Sequence, residues 1–119
     1  MLGYNTPRHH PPAPDHDALS DFHNRLSMQG GAYANATWVV GVAKAGVEEG
    51  CELIGGSCIV APTGQIVAQA LTLGDELVLA RCDLDLARSY KATTFDFARH
   101  RQPAQYRLIV ERTGAQDPA

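Results

Sequence analysis

The stretch GGSCIVAPTGQIVAQ, residues 55–69, decides how this chain is read. Two apolar, β-branched runs, Cys58–Val60 and Ile66–Ala68, flank Ala61-Pro62-Thr63-Gly64. Proline at the second turn position and glycine at the fourth are what a type I turn favours. The segment from Cys51 to Leu71 therefore reads as two strands joined by that turn. Gly55 and Gly56 fall inside the first, where paired glycines mark a bulge or a close backbone approach rather than a phosphate loop. A phosphate loop would need G-K-S/T and a following helix, and neither is there.

Outward from the hairpin, TWVVGVAK at 37–44 is β-branched and too short for a globular helix, so it is expected to be a buried strand. AGVEEG at 45–50 reads as a loop. ELVLARCDL at 76–84 is expected to be a fourth strand, and residues 85–101 to hold one or two short helices. Upstream, a helix is expected to begin at Asp15 or Asp17, either of which can cap free N–H groups and suits the helix dipole. Leu19, Phe22, Leu26 and Tyr33 fall on one apolar stripe. Gly30 and Gly31 interrupt it at about 1 kcal/mol each relative to alanine. With Ala32, Ala34 and Ala36 they form a small-residue surface, where tight packing is expected. Residues 1–14 hold four of the seven prolines and read as extended and irregular. The domain is expected to span 1–112, with 113–119 a loose tail.

Strands this apolar need cover on both faces, and the chain offers one long helix and short ones. The pattern is that of a sheet awaiting a partner layer.

Composition narrows the function classes. At 119 residues the chain is at most one domain, and a hydrophobic fraction of 45% excludes a disordered one. A formal net charge of −3 gives no basic footprint for nucleic acid or an anionic membrane; Arg99, His100 and Arg101 make only a short cluster. No run approaches the roughly 18 apolar residues of a membrane span, and no export signal is evident. Three widely spaced cysteines without C-x-x-C point to free thiols and a cytoplasmic setting.

No complete catalytic constellation emerges from the residues. His9 and His10 are adjacent and diverge in an extended segment, while His16 and His23 stand two helical turns apart, so no metal is expected. Cys58 sits mid-strand among apolar residues, where a thiol fills volume; Cys51 and Cys82 read the same way, with Cys51 the most exposed. Ser57 lies in G-G-S-C rather than in the G-x-S-x-G elbow of α/β hydrolases. Glu48 and Glu49 read as solvated, Lys44 as exposed at a strand end, and Asp83 and Asp85 as helix caps.

The series YANATWVVGVAKAG, GGSCIVAPTGQIVAQ and ELVLARCDLDLAR resembles the C-terminal half of the nitrilase, or carbon–nitrogen hydrolase, superfamily. Ser57, Ile59, Pro62 and Gly64 occupy its G-x-S-x-I-x-x-P-x-G hairpin pattern. GYNTP with His9, then FH-x-x-LSMQ, EEGC, SCIVAPTG and DFARHRQP-x-x-Y, resemble the N-carbamoyl-D-amino acid amidohydrolases in particular, over about residues 3–110. The resemblance implies an α/β fold, the C-terminal half of an α-β-β-α sandwich, with largely antiparallel strands and a long packing helix. It implies cleavage of the carbamoyl C–N bond of N-carbamoyl-D-amino acids by a Glu–Lys–Cys set, without a cofactor, in a homo-oligomer. In that family all three catalytic positions precede the segment matching GYNTP. None of Cys51, Cys58 or Cys82 corresponds to the nucleophile, so a chain with no catalytic residue of its own is expected. By the same resemblance Asn5 and Thr6 would bind the substrate's carboxylate end, which a side-chain amide and a hydroxyl can both donate to. The alternatives are another nitrilase-type linear amidase, or a non-enzymatic interaction module built on the sheet.

Overall fold

The computed structural model describes residues 2–3 and 14–114. β1 (Leu2–Gly3) is followed by α1 (Pro14–Ala18) and α2 (Ser20–Ala34), then β2 (Val39–Ala43), β3 (Ala45–Glu48), β4 (Cys51–Ile54), β5 (Cys58–Val60) and β6 (Ile66–Gln69). Short helical pieces close the chain: a 3-10 turn at Leu84–Ala87, α3 (Arg88–Ala92), α4 (Phe97–His100), a second 3-10 turn at Pro103–Gln105 and α5 (Arg107–Glu111). The main sheet runs β1-β2-β5-β6, and β3 with β4 forms a separate two-stranded ribbon. Only β1 and β2 are parallel, with Leu2 opposite Val42 and Gly3 opposite Ala43; β2–β5 and β5–β6 are antiparallel.

The hairpin at 61–64 forms where expected. The Gly64 N–H donates to the Ala61 carbonyl at 2.8 Å and the Ala61 N–H to the Gln65 carbonyl at 2.9 Å. Gly64 has φ +82°, a left-handed residue closing the turn as in a hairpin with a bulge. Val60 pairs with Ile66 while Ile59 pairs with Ala68, so Val67 is the extra residue.

Three expectations need correction. AGVEEG is not a loop: Ala45–Glu48 pairs with Cys51–Ile54 around Glu49 and Gly50, both at positive φ (50° and 79°). Two consecutive left-handed residues match the twist of a tight hairpin. The strand read through residues 51–60 is cut in two by Gly55 and Gly56, at φ +65° and +77°, which turn the chain from the ribbon into the main sheet. Residues 76–84 do not form a strand. A strand exists only through a ladder, and no described strand lies alongside these residues to supply one.

The helix begins at Pro14, one residue before Asp15, and breaks at Leu19, whose φ/ψ of −100°/1° separates α1 from α2. Asp15 and Asp17 thus lie within α1 rather than before it. Nor do Leu19, Phe22 and Leu26 of the stripe pack on the sheet; they are exposed, while Tyr33 sits beside the Gly64 turn and edge-on to Tyr90 and Phe95. Met28 and Ala32 do, and Met28 lies about 200° around the helix from Leu26. α2 therefore carries two apolar faces and covers the sheet with the smaller-looking one.

The core sits between α2 and the sheet: Met28, Ala32, Cys58 and Val60, with Val39 and Ile66 packed against them. Met28 Sδ lies 3.9 Å from Cys58 Sγ, and a Cβ built at Gly41 would fall 2.2 Å from Met28 Sδ. The bare backbone of Gly41 is the seat for that side chain. A second tie joins the end of the helix to the hairpin, where Gln29 Nε2 donates to the Gly64 carbonyl at 2.8 Å. Tight packing at Gly30 and Gly31 is not found, since a Cβ at either would meet nothing within 4 Å. Ala32 and Ala36, both fully buried, carry it instead.

The result is a slab. Its extents are 48 × 47 × 19 Å and its radius of gyration is 18.0 Å, against about 13.5 Å for a compact domain of this length. A thickness of 19 Å holds one helix layer and one sheet layer at about 10 Å each. The accessible surface of 9052 Å² likewise exceeds the roughly 6,300 Å² of a compact monomer of this mass.

Replacing Gly41 by alanine forces Met28 off its seat. G41A is expected to lower stability by about 1–3 kcal/mol, and M28A by about 2–5 kcal/mol. The double variant should cost clearly less than the sum, because with Met28 truncated the new methyl has nothing to displace. Urea denaturation of the four proteins measures this coupling; strict additivity would mean that Gly41 has another role.

Candidate functional site

Because β1 and β2 are parallel, the chain leaves β1 after Gly3 at the same end of the sheet where Ala43 and Lys44 leave β2. A cleft of about 280 Å³ opens there, lined by residues that include Val42, Lys44, Gly55, Ser57, Thr72 and Glu76. Asn5 and Thr6, the residues expected to bind substrate, lie outside the described residues, as do His9 and His10.

Ser57 is held by backbone. The Ala43 N–H donates to Ser57 Oγ at 3.0 Å, and the Ser57 hydroxyl donates back to the Ala43 carbonyl at 3.2 Å. Gly55 and Gly56 have taken the chain out of register with β2, so the serine hydroxyl extends the β2–β5 ladder by one step in place of main-chain atoms. With both bonds to the Ala43 backbone it acts as a splint for the cleft wall. Gly55 is needed for the same wall: a Cβ there would lie 2.9 Å from that of Ala45.

The loop over the cleft is gathered by Glu76. Its carboxylate accepts from the Leu71 N–H at 3.0 Å, the Thr72 N–H at 3.0 Å and the Thr72 hydroxyl at 2.9 Å. The Thr72 hydroxyl, then the Thr72 and Leu71 N–H groups, stabilise the ionised form and pull the Glu76 pKa below the usual glutamate value. Residue-level reading missed Glu76; the available signal was Thr72-x-Gly74-Asp75-Glu76, an acid four residues after a threonine across a glycine turn. Lys44 is exposed, as expected, and forms an ion pair with Glu48, which belongs to β3 rather than to a loop. Asp83 caps the first 3-10 turn through the Asp85 N–H at 3.0 Å, also as expected.

The thiols are dispersed. Cys58 is buried beneath Met28, and burial pushes its pKa up, partly countered by Arg25. A thiol held protonated against a thioether is a poor nucleophile. Cys51 is exposed at the ribbon's turn. Cys82 is exposed too, contrary to the volume-filling role expected of it, because the segment that carries it does not pack as a strand. Among the described residues no group of three or more His, Cys, Asp or Glu side chains is placed to hold a metal ion. No helix among them is long and apolar enough to cross a membrane.

The site is thus one wall of a cleft, mounted on a mixed α/β layer with antiparallel sheets. Residues 4–92 match the carbon-nitrogen hydrolase family, and the chain belongs to that family. It is 34% identical over 100 residues to an N-carbamoylputrescine amidase from Arabidopsis thaliana, an alignment covering 77% of this chain and 33% of that protein. Among solved structures it superposes with TM-score 0.74 on a carbon-nitrogen hydrolase from Helicobacter pylori, at 18% identity, covering 94% of this chain and 39% of the other. It superposes with TM-score 0.63 on the C. elegans NitFhit protein, at 26% identity, covering 71% and 20%. The chain spans about a third of the length of the curated relative.

The Glu76 clasp gives a pH prediction. A carboxylate with a depressed folded pKa stabilises its loop above the unfolded value and releases it as pH falls through the folded one. Protection of the Leu71 and Thr72 amides, taken relative to their intrinsic exchange rates, should therefore persist at neutral pH and be lost only once pH drops below the ordinary glutamate range. E76Q, with a weaker neutral acceptor, should exchange faster at neutral pH and show no such step; an unchanged profile would remove the clasp.

Proposed function

We propose that this chain is the carboxy-terminal portion of an amidohydrolase that cleaves the carbamoyl C–N bond of N-carbamoyl-D-amino acids. One water is consumed, and the products are the D-amino acid, ammonia and carbon dioxide. A cysteine supplied from outside these residues attacks the carbamoyl carbon, a glutamate takes the thiol proton, and a lysine steadies the tetrahedral oxyanion. Asn5 and Thr6 would then meet the substrate's carboxylate at the end of β1. The observation that carries the reading is family membership over residues 4–92, together with a cleft-wall serine and a core cysteine that are both engaged in structure.

A second reading, favoured by the 34% identity to an N-carbamoylputrescine amidase, keeps the carbamoyl chemistry and exchanges the substrate's far end, an ammonium for a carboxylate. Ammonia release separates the two. The 119-residue chain alone is expected to release none from either substrate. The chain expressed with the coding sequence upstream of Met1 is expected to hydrolyse an N-carbamoyl-D-amino acid in preference to N-carbamoylputrescine. Turnover by the short chain, with an acyl adduct on one of its own three cysteines, would overturn the assignment.

We also propose a cytoplasmic homo-oligomer, with the outward face of α2 as its contact surface. Leu19, Phe22 and Leu26 are exposed there, on the side of the helix away from the sheet, where no layer stacked on the sheet's other face could reach them. L26E should leave the thermal midpoint of the assembled enzyme's subunits nearly unchanged while lowering the sedimentation coefficient. An unchanged oligomer would exclude this face.

A further inference from the structure

We propose that the ribbon β3–β4 is a flap. It swings as a unit on Lys44 and Gly55–Gly56, widens or narrows the cleft beside it, and is latched by the loop at Leu71–Glu76.

The ribbon joins the main sheet through a hinge of two chain segments. On the sheet side Ser57 binds the Ala43 backbone through its hydroxyl. On the ribbon side the Gly55 N–H donates to the Lys44 carbonyl at 3.2 Å. Gly56 is the extra residue between these two ties, and both glycines have positive φ. Without a Cβ, glycine crosses that region of backbone space freely, as a residue that absorbs a hinge rotation must. β3 and β4 pair with each other and with no other described strand, and Val47 through Glu52 are exposed. A two-stranded ribbon of this kind is barely stable alone, so its position depends on what its base rests on.

Gly56 borders two cavities. The cleft of about 280 Å³ takes Lys44, Ala45 and Gly55 as well as Gly56 into its wall, so a rotation at the hinge changes its width. A second cavity, of about 250 Å³, lies toward α2 and is lined in part by Asp21, Arg25, Ile54 and Gly56. Asn24 Nδ2 is buried against Gly56 with no hydrogen-bond partner among the described residues. A buried donor without an acceptor is costly, and a rotation that turns a hinge carbonyl toward Asn24 removes that cost in a second position.

The latch is Leu73. A Cβ built at Gly46 would lie 3.8 Å from the Leu73 carbonyl oxygen, and one at Gly55 3.9 Å from Leu73 Cδ2, so Leu73 abuts both strands of the ribbon at their base. Glu76 gathers the loop that carries it through the Leu71 and Thr72 N–H groups. Those bonds lie within the loop, so Glu76 is a positioning residue that acts on the ribbon through Leu73.

Paired spin labels on the 119-residue chain test this. One label sits on Cys51, exposed at the ribbon's turn, and the other at Gln65→Cys beside the 61–64 turn, in a Cys82→Ser background. Dilution with unlabelled chain restricts the reading to distances within one molecule. The latched ribbon should give one main distance. Leu73→Ala and Glu76→Gln should each raise the share of a second distance by about tenfold, as loss of one contact of this strength does, while the ladder amides of β3–β4 stay protected from exchange. Adding Asn24→Leu to Glu76→Gln removes the orphaned donor and should suppress the second distance, which mere loosening of the loop would not do. A single unchanged distance in both latch variants would overturn the flap. So would a second distance that survives Asn24→Leu, or loss of ladder protection, which is fraying rather than swinging. Glu76→Gln carries the test should Leu73→Ala fail to fold. No turnover enters the measurement, so its outcome is separate from the choice of substrate.

Discussion

Met28 seated on the bare backbone of Gly41, against Cys58, is the contact on which the rest of the arrangement depends. Burying such a side chain contributes about 1.5–3 kcal/mol, but its larger effect is directional. It turns Val39, Gly41 and Ala43 of β2 toward the helix, and with strand alternation Val40 and Val42 must then face the other way. It also fixes the rotation of α2, so that Leu19, Phe22 and Leu26 point outward. One sulfur thereby orients three surfaces: a covered sheet face, an open sheet face and an outer helix face.

The same contact explains why the cysteines divide as they do. Cys58 and Val60 share the covered face with Met28, and a thiol there is desolvated and held protonated. Gly55 and Gly56 lift the preceding residues out of the ladder, which leaves Ser57 to bind the Ala43 backbone with its own hydroxyl. The two side chains of the hairpin that look nucleophilic on paper are both engaged in holding the layer together.

Local features were legible in the sequence wherever a residue type has a local cause. Pro62 and Gly64 marked the turn and Asp83 the cap, whereas Gly55-Gly56 read as a bulge within one strand and not as the break they make. The family pattern marked the α/β sandwich layer. Glu49-Gly50 escaped notice because glutamate rarely adopts positive φ, so the tight turn of the β3–β4 ribbon read as a loop. α2 was misjudged in rotation because its larger side chains form the outward stripe, whereas a methionine and an alanine fill the shallow seat over Gly41. Glu76 was invisible to a search for catalytic pairs because its partners are main-chain N–H groups, which the sequence does not distinguish. Asn5 and Thr6 were reached only through resemblance.

The failure at residues 76–84 has a different origin, and it joins the fold to the function. Strand propensity is a preference for a pleated, half-buried surface, and it is satisfied only when another strand completes the hydrogen bonds. Residues 76–82 have the composition, but among the described residues no neighbouring strand completes a ladder with them. The same holds on β2, where the apolar side chains of Val40 and Val42 stay about half exposed on the sheet face away from Met28.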